Sequence, residues 1–140
     1  SKLIDLSTNT TYGVPGYIQE GALFALSLGS AFEEQIGSPF RRRRQIALDI
    51  LKEFPAVRAI DPKGAMYLMV DIRSTGLSGD AFANRLLDER QIAVMPGESF
   101  GASAAGHLRI AMTIDDEQFA SALKTLCEFA TQLAFELTHG

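Results

Sequence analysis

With 140 residues, 46% of them hydrophobic and 21% charged, the chain has the balance of one soluble domain with a core, not of a disordered segment. A formal net charge of -4 argues against a general nucleic-acid binder, and the most apolar stretch, residues 21–28, is far too short to span a bilayer. No signal-peptide pattern opens the sequence and the single cysteine, Cys127, excludes an intrachain disulfide, so a reduced, cytoplasmic protein is expected.

In chain order, Lys2–Leu6 is expected to form a short strand, closed by the polar turn Ser7–Thr11. Pro15 suits the first turn of a helix running to about Glu34; its all-round apolar stretch, Gly21 to Leu28, predicts burial on more than one side. Gly37-Ser38-Pro39 is read as the break, with Ser38-Pro39 opening a second helix striped by Ile46, Ala47, Ile50, Leu51 and Phe54 and stopped by Pro55. Val57–Ile60 reads as a strand, Asp61–Gly64 as a turn and Ala65–Ile72 as a buried strand. Ser78 caps a helix over about Gly79–Arg90, buried through Phe82, Leu86 and Leu87. A short strand over Gln91–Met95, a glycine-rich loop and a strand over His107–Thr113 follow. Asp115 caps the last helix, striped by Phe119, Ala122, Leu123, Leu126, Ala130, Leu133, Ala134 and Leu137. The expected fold class is α/β, an α+β sandwich with helices packed on a small, mostly antiparallel sheet, all in one domain.

Arg109 is the candidate functional residue. Strand alternation puts Leu108, Ile110 and Met112 on the core face, and His107, Arg109, Ala111 and Thr113 on the other. A guanidinium is charged at any working pH and pairs bidentately with carboxylates, although on the strand alone a solvent-facing arginine is the simpler reading. The preceding loop shifts that balance, because Pro96, Gly97, Gly101 and Gly106 allow the close backbone approach that the rim of a small-molecule cleft needs.

Other features carry less. Arg41–Arg44 spread around a helix, so the run reads as a solvated helix start with at most one interface ion pair. His107 reads as a strand-edge residue and His139 as a frayed terminus. Asp71, Asp80 and Asp88 lack metal-ligand spacing, so no metal site is expected, and Asp115-Asp116-Glu117 suits a helix N-terminus. Residues 97–101 match Gly-x-Ser-x-Gly, but a loop and a strand follow Ser99 where a nucleophile elbow needs a helix.

Four ordered segments go further: Val14-Pro15-Gly16-Tyr17-Ile18-Gln19-Glu20-Gly21-Ala22 with Ala25-Leu26; Pro62-Lys63-Gly64-Ala65-Met66-Tyr67-Leu68; Met95-Pro96-Gly97-Glu98-Ser99-Phe100-Gly101; and Gly106-His107-Leu108-Arg109-Ile110-Ala111. Together, over essentially the whole chain, they resemble the C-terminal small domain of a class I/II aminotransferase, a pyridoxal 5'-phosphate enzyme of fold type I. The resemblance implies that Arg109 binds the α-carboxylate of an amino acid, that Phe100 neighbours the pocket, and that Gly97 and Gly101 shape the loop. It places Gly64, Ala65 and Met66 on a supporting strand. The family's Schiff-base lysine has no clear counterpart among Lys2, Lys52, Lys63 and Lys124: Ser1-Lys2 resembles its setting, but Thr8 and Thr10 stand where a glycine and an arginine belong.

The family's partner for the pyridine nitrogen and its phosphate-binding loop are missing too, which implies a large cofactor-binding domain before Ser1. The resemblance therefore implies no catalytic or cofactor-binding residue on this chain, and pyridoxal 5'-phosphate bound only by the full-length protein. It further implies amino acid and 2-oxo acid substrates, a homodimer, no nucleic-acid or membrane partner, and an inactive isolated fragment. The apolar 21–28 helix would then bury against the large domain and the dimer partner. A non-catalytic ligand-binding or regulatory module, a structural or interaction domain suggested by the apolar Gly21 to Leu28 helix, the aminotransferase-like domain of a transcriptional regulator, and a related fold-type-I lyase or decarboxylase stay open as alternatives.

Overall fold

The computed structural model describes residues 2–10 and 13–139, so Ser1 and Thr11, the latter in the expected first turn, lie outside the described residues. The chain divides into two compact units, Ser1–Ser38 and Pro39–Gly140.

The first unit is helical. Helix α1 spans Lys2–Thr10, where a strand was expected. Leu3, Ile4 and Leu6 fit either period over so few residues. Thr10 instead donates its hydroxyl back to the Leu6 carbonyl at 2.7 Å, one turn earlier. Helix α2 spans Gly16–Ser27, and none of its residues is buried, contrary to the expectation from its apolar composition: Leu23, Phe24 and Leu26 are exposed. It ends at Leu28, before Gly29 with φ +71°, the left-handed conformation in which glycine stops a helix. Helix α3 spans Gly29–Lys52 and carries Pro39 inside it. The expected break at Gly37-Ser38-Pro39 is thus overturned. Proline keeps a helix-compatible φ and forfeits one hydrogen bond, at a cost of about 3 kcal/mol that the rest of the helix absorbs.

The second unit holds a four-stranded antiparallel sheet of order β1-β2-β4-β3, with β1 at Arg58–Ile60, β2 at Tyr67–Asp71, β3 at Met95–Pro96 and β4 at His107–Ala111. Strand β3 begins later than expected because Gln91 takes a left-handed conformation (φ 59°) to close the preceding helix. Helices α4 (Gly79–Arg90) and α5 (Asp116–His139) join the later turns of α3 in covering one face of the sheet. Leu68, Val70, Leu108 and Ile110 meet Ala47, Ile50, Phe82, Leu86, Phe119, Leu126 and Phe129 in the core. Phe82 and Phe129 pack edge to face at 5.4 Å between centroids. Leu87 and Leu137, expected in the buried stripes, are exposed instead, because each lies at the margin of its helix's apolar arc.

Both expected caps form: Ser78 Oγ accepts from Ala81 N at 3.1 Å, and Asp115 Oδ1 from Gln118 N at 2.9 Å. His139 ends α5 with its ring stacked on Phe135.

The arginine run is interior to α3 and is not a solvated helix start. Arg42 and Arg43 both pair with Asp116 in the first turn of α5, and Arg43 donates to the Met112 carbonyl at 3.0 Å. Arg44 pairs with Asp61 and donates to the Pro62 carbonyl at 3.0 Å. Three of these cations therefore pin α3 to other elements of the second unit. The Arg42 and Arg43 donors hold the Asp116 carboxyl below the usual carboxylate range.

Candidate functional site

The face of the sheet opposite the core carries the candidate residues. Because paired residues of antiparallel strands point to the same side, the register generates rows. Ile60, Met69, Arg109 and Met95 make one row across all four strands. Arg58, Asp71 and His107 make the next, and Tyr67 with Ala111 a third. Arg109 thus leaves the core face, as strand alternation predicts, between two methionines.

Two aromatic rings flank it. The Arg109 guanidinium carbon lies 4.2 Å from the Tyr67 ring centroid and 4.5 Å from that of Phe100, well inside cation–π range. Among the described residues, no carboxylate stands within ion-pair distance of Arg109.

Phe100 ends a tight turn, Gly97–Phe100, and the backbone explains why that turn forms. A Cβ on Gly97 would fall 2.0 Å from the Ala104 carbonyl oxygen and 2.8 Å from that of His107, so only glycine fits. Gly101 follows with φ +111°, a conformation open to glycine. Glu98 ties the turn down: its Oε1 accepts from Gly79 N at 2.9 Å and from Gly106 N at 3.0 Å. Those two amides join the start of α4 to the residue before β4, and they hold the Glu98 carboxyl below its ordinary range, the Gly106 amide most strongly. The helix N-terminus favours that negative charge. Glu98 Oε2 is buried without a hydrogen-bond partner among the described residues.

The other candidates fall elsewhere. Gly64, Ala65 and Met66 precede β2, so the turn extends further than expected; Ala65 has φ 64°, and the Met66 carbonyl accepts from Met112 N at 2.8 Å. Ser99 is exposed in the tight turn, and His107 Nδ1 engages the Ala105 carbonyl at 2.9 Å. Asp71 is gripped by the Arg73 fork, Nε to Oδ1 at 2.9 Å and Nη2 to Oδ2 at 2.6 Å, which pulls its carboxyl down to about 2 against the cost of burial. Two clefts, of about 410 and 670 Å³, border β1; neither includes Arg109.

No lysine of the described residues fits a cofactor cradle. Lys52 pairs with Asp49 and Lys63 with Asp61, while Lys2 and Lys124 stand exposed on α1 and α5, and a Schiff-base lysine needs a desolvated setting. The buried Cys127 thiol is pushed up to about 12 by desolvation and is inert. Among the described residues, no helix is long and apolar enough to cross a membrane.

Sequence reasoning left out Tyr67 and Glu98. For Tyr67 the signal was present, since alternation that buries Leu68 and Val70 turns Tyr67 and Met69 to the Arg109 face. For Glu98 only the tight Pro-Gly-Glu turn hinted at a role.

With this geometry in view, comparisons with known proteins converge. The family described as "Aminotransferase class I and II" matches residues 1–126. The chain is similar to arginine–pyruvate transaminase AruH of Pseudomonas aeruginosa, with 40% identity over 131 residues covering 94% of this chain and 33% of that protein. It is similar to an aspartate aminotransferase of Pyrococcus horikoshii, with 29% identity over 115 residues, 81% of this chain and 29% of that one. A solved double mutant of Thermus thermophilus aspartate aminotransferase superposes with a TM-score of 0.72 at 29% identity, covering 89% of this chain and 32% of that chain. The chain spans roughly a third of the length of these curated relatives. On the match over residues 1–126 and this shared α/β fold, the chain belongs to the class I and II aminotransferases.

Proposed function

We propose that this chain is the C-terminal small domain of a pyridoxal 5'-phosphate-dependent aminotransferase, which moves an amino group between an amino acid and a 2-oxo acid, and that Arg109 holds the substrate's α-carboxylate. One observation carries the reading. Arg42, Arg43, Arg44 and Arg73 all engage carboxylates of the chain, whereas Arg109 rises from the uncovered sheet face with aromatic neighbours and no acidic partner among the described residues.

A guanidinium so placed presents a planar set of N–H donors that matches a carboxylate bidentately. Fixing the acid group fixes the orientation of the substrate's Cα–H bond, which is where small misplacements are expensive. Phe100 and the methionines of the same row lower the local polarity, which strengthens the charge-assisted bond. When bound, the cofactor supplies the electron sink for chemistry at Cα. In this reading its lysine, its ring-nitrogen partner and its phosphate loop belong to a large domain outside this chain. The roughly threefold greater length of the relatives supports that division. On its own this chain is then inactive, and the full-length protein is a homodimer in which the apolar surface of α2 is covered.

The test is Arg109→Ala in the full-length protein, with L-arginine and pyruvate first among the substrates assayed because one relative is named for that pair. KM should rise and kcat fall together, lowering kcat/KM on the order of 10²-fold. Unaltered kinetics would end the assignment.

A further inference from the structure

We propose that Tyr67 and Phe100 are positioning residues that set the plane of the Arg109 guanidinium, so that only its N–H edge is offered to the substrate carboxylate; this rests on the role proposed above for Arg109. An arginine side chain has many rotamers, and one standing on an uncovered sheet face must lose that freedom before it can meet a planar anion. Hydrogen bonds to protein acceptors would restrain it at the expense of the donors it needs. The rings at 4.2 and 4.5 Å restrain it differently, because an aromatic face attracts the cation through the ring quadrupole and takes up no N–H group.

The two rings reach Arg109 from separate elements, Tyr67 from β2 and Phe100 from the turn after β3. Each has its own anchor. Tyr67 is fixed by the β2–β4 register, two residues from the direct partner of Arg109, Met69. Phe100 is fixed by the Glu98 carboxylate, which ties its turn to Gly79 and Gly106. Met69 and Met95, the direct cross-strand neighbours of Arg109, provide no strong acceptor to compete for the fork. The Tyr67 hydroxyl makes no hydrogen bond among the described residues, so the ring face, not the phenol, is the working part.

The experiment is a double-mutant cycle in the full-length protein, assayed with pyruvate and whichever of the twenty amino acids it uses best. Tyr67→Leu should raise the amino-acid KM roughly tenfold and change kcat less, while Tyr67→Phe should restore the parent KM. In the Arg109→Ala background Tyr67→Leu should have no further effect, because its action passes through the guanidinium. In a ¹⁵N-labelled sample the Arg109 Nε–H resonance should lie upfield under the ring currents and return toward its ordinary position in Tyr67→Leu. A KM unmoved by Tyr67→Leu, full additivity with Arg109→Ala, or an unshifted Nε–H would overturn the proposal while leaving Arg109's own role standing. If Arg109→Ala itself changes nothing, or no amino acid is used, the functional reading on which this proposal depends falls instead.

Discussion

Arginines on α3 and the arginine on β4 are set in opposite ways. Arg43 is mostly buried, 14% exposed, and spends its donors on Asp116 and the Met112 carbonyl, so its charge is consumed in holding α3 against the start of α5. Arg109 lies against two rings and has no acidic partner among the described residues. One chain thus sets the same guanidinium in two ways, tied to a carboxylate at Arg43 and laid against two rings at Arg109. The difference lies in what neighbours it, since a carboxylate satisfies the N–H edge and an aromatic face leaves it open.

The contrast can be broken most severely at Gly97. Its missing Cβ leaves room for the Ala104 carbonyl oxygen, which would otherwise lie 2.0 Å away, and backbone cannot yield as a side-chain tip can. Gly97→Ala should therefore cost about 3 kcal/mol, seen as a lower urea midpoint, and should carry Phe100 off Arg109. A variant as stable as the parent would show that the turn tolerates a different path.

A milder pair of substitutions sharpens the comparison. Arg43→Ala should lower stability by about 1–2 kcal/mol, because it strips the Met112 carbonyl of its side-chain donor. Arg109→Ala should change stability by less than about 1 kcal/mol, since it removes only ring contacts from a surface residue. The order of the two urea midpoints is the readout. Equal losses would mean that Arg109 is also a rivet.

Much of this was legible in the sequence, and the exceptions share a cause. The α5 stripe, the Ser78 and Asp115 caps and the outward direction of Arg109 follow from periods and capping chemistry within a few residues of one another. Helix α1 was misread because residues 2–6 satisfy two periods at once, and the end of α2 because Pro39 drew the break that Gly29 makes. The arginine run was misread because Asp116 and Asp61 lie 73 and 17 residues from their partners Arg43 and Arg44. Glu98 likewise reaches Gly79 across 19 residues. Chemistry between distant segments is invisible to any local pattern, and it is this chemistry that separates Arg42, Arg43 and Arg44 from Arg109.

A pH-dependent effect tests a third arginine setting. Asp71 shares the outer face with Arg109 but is clasped by Arg73, and its carboxyl is held near 2 by that fork even though burial opposes ionisation. Its folded value lies below the ordinary carboxylate value of about 3.9, so the folded state binds the proton less readily than the unfolded chain does. The stabilisation is complete above about pH 4 and disappears as the pH falls toward 2. The shift alone would correspond to somewhat over 2 kcal/mol, but Arg73 is 67% exposed and solvent screens the pair, which leaves about 1 kcal/mol. Asp71→Asn should remove that slope from a plot of urea midpoint against pH between 4 and 2, leaving the contribution of Asp116 and the other lowered carboxylates. An identical slope in the variant would mean that Asp71 titrates alike in the folded and unfolded chains, and that the Arg73 fork, unlike the Arg43 rivet, does no structural work.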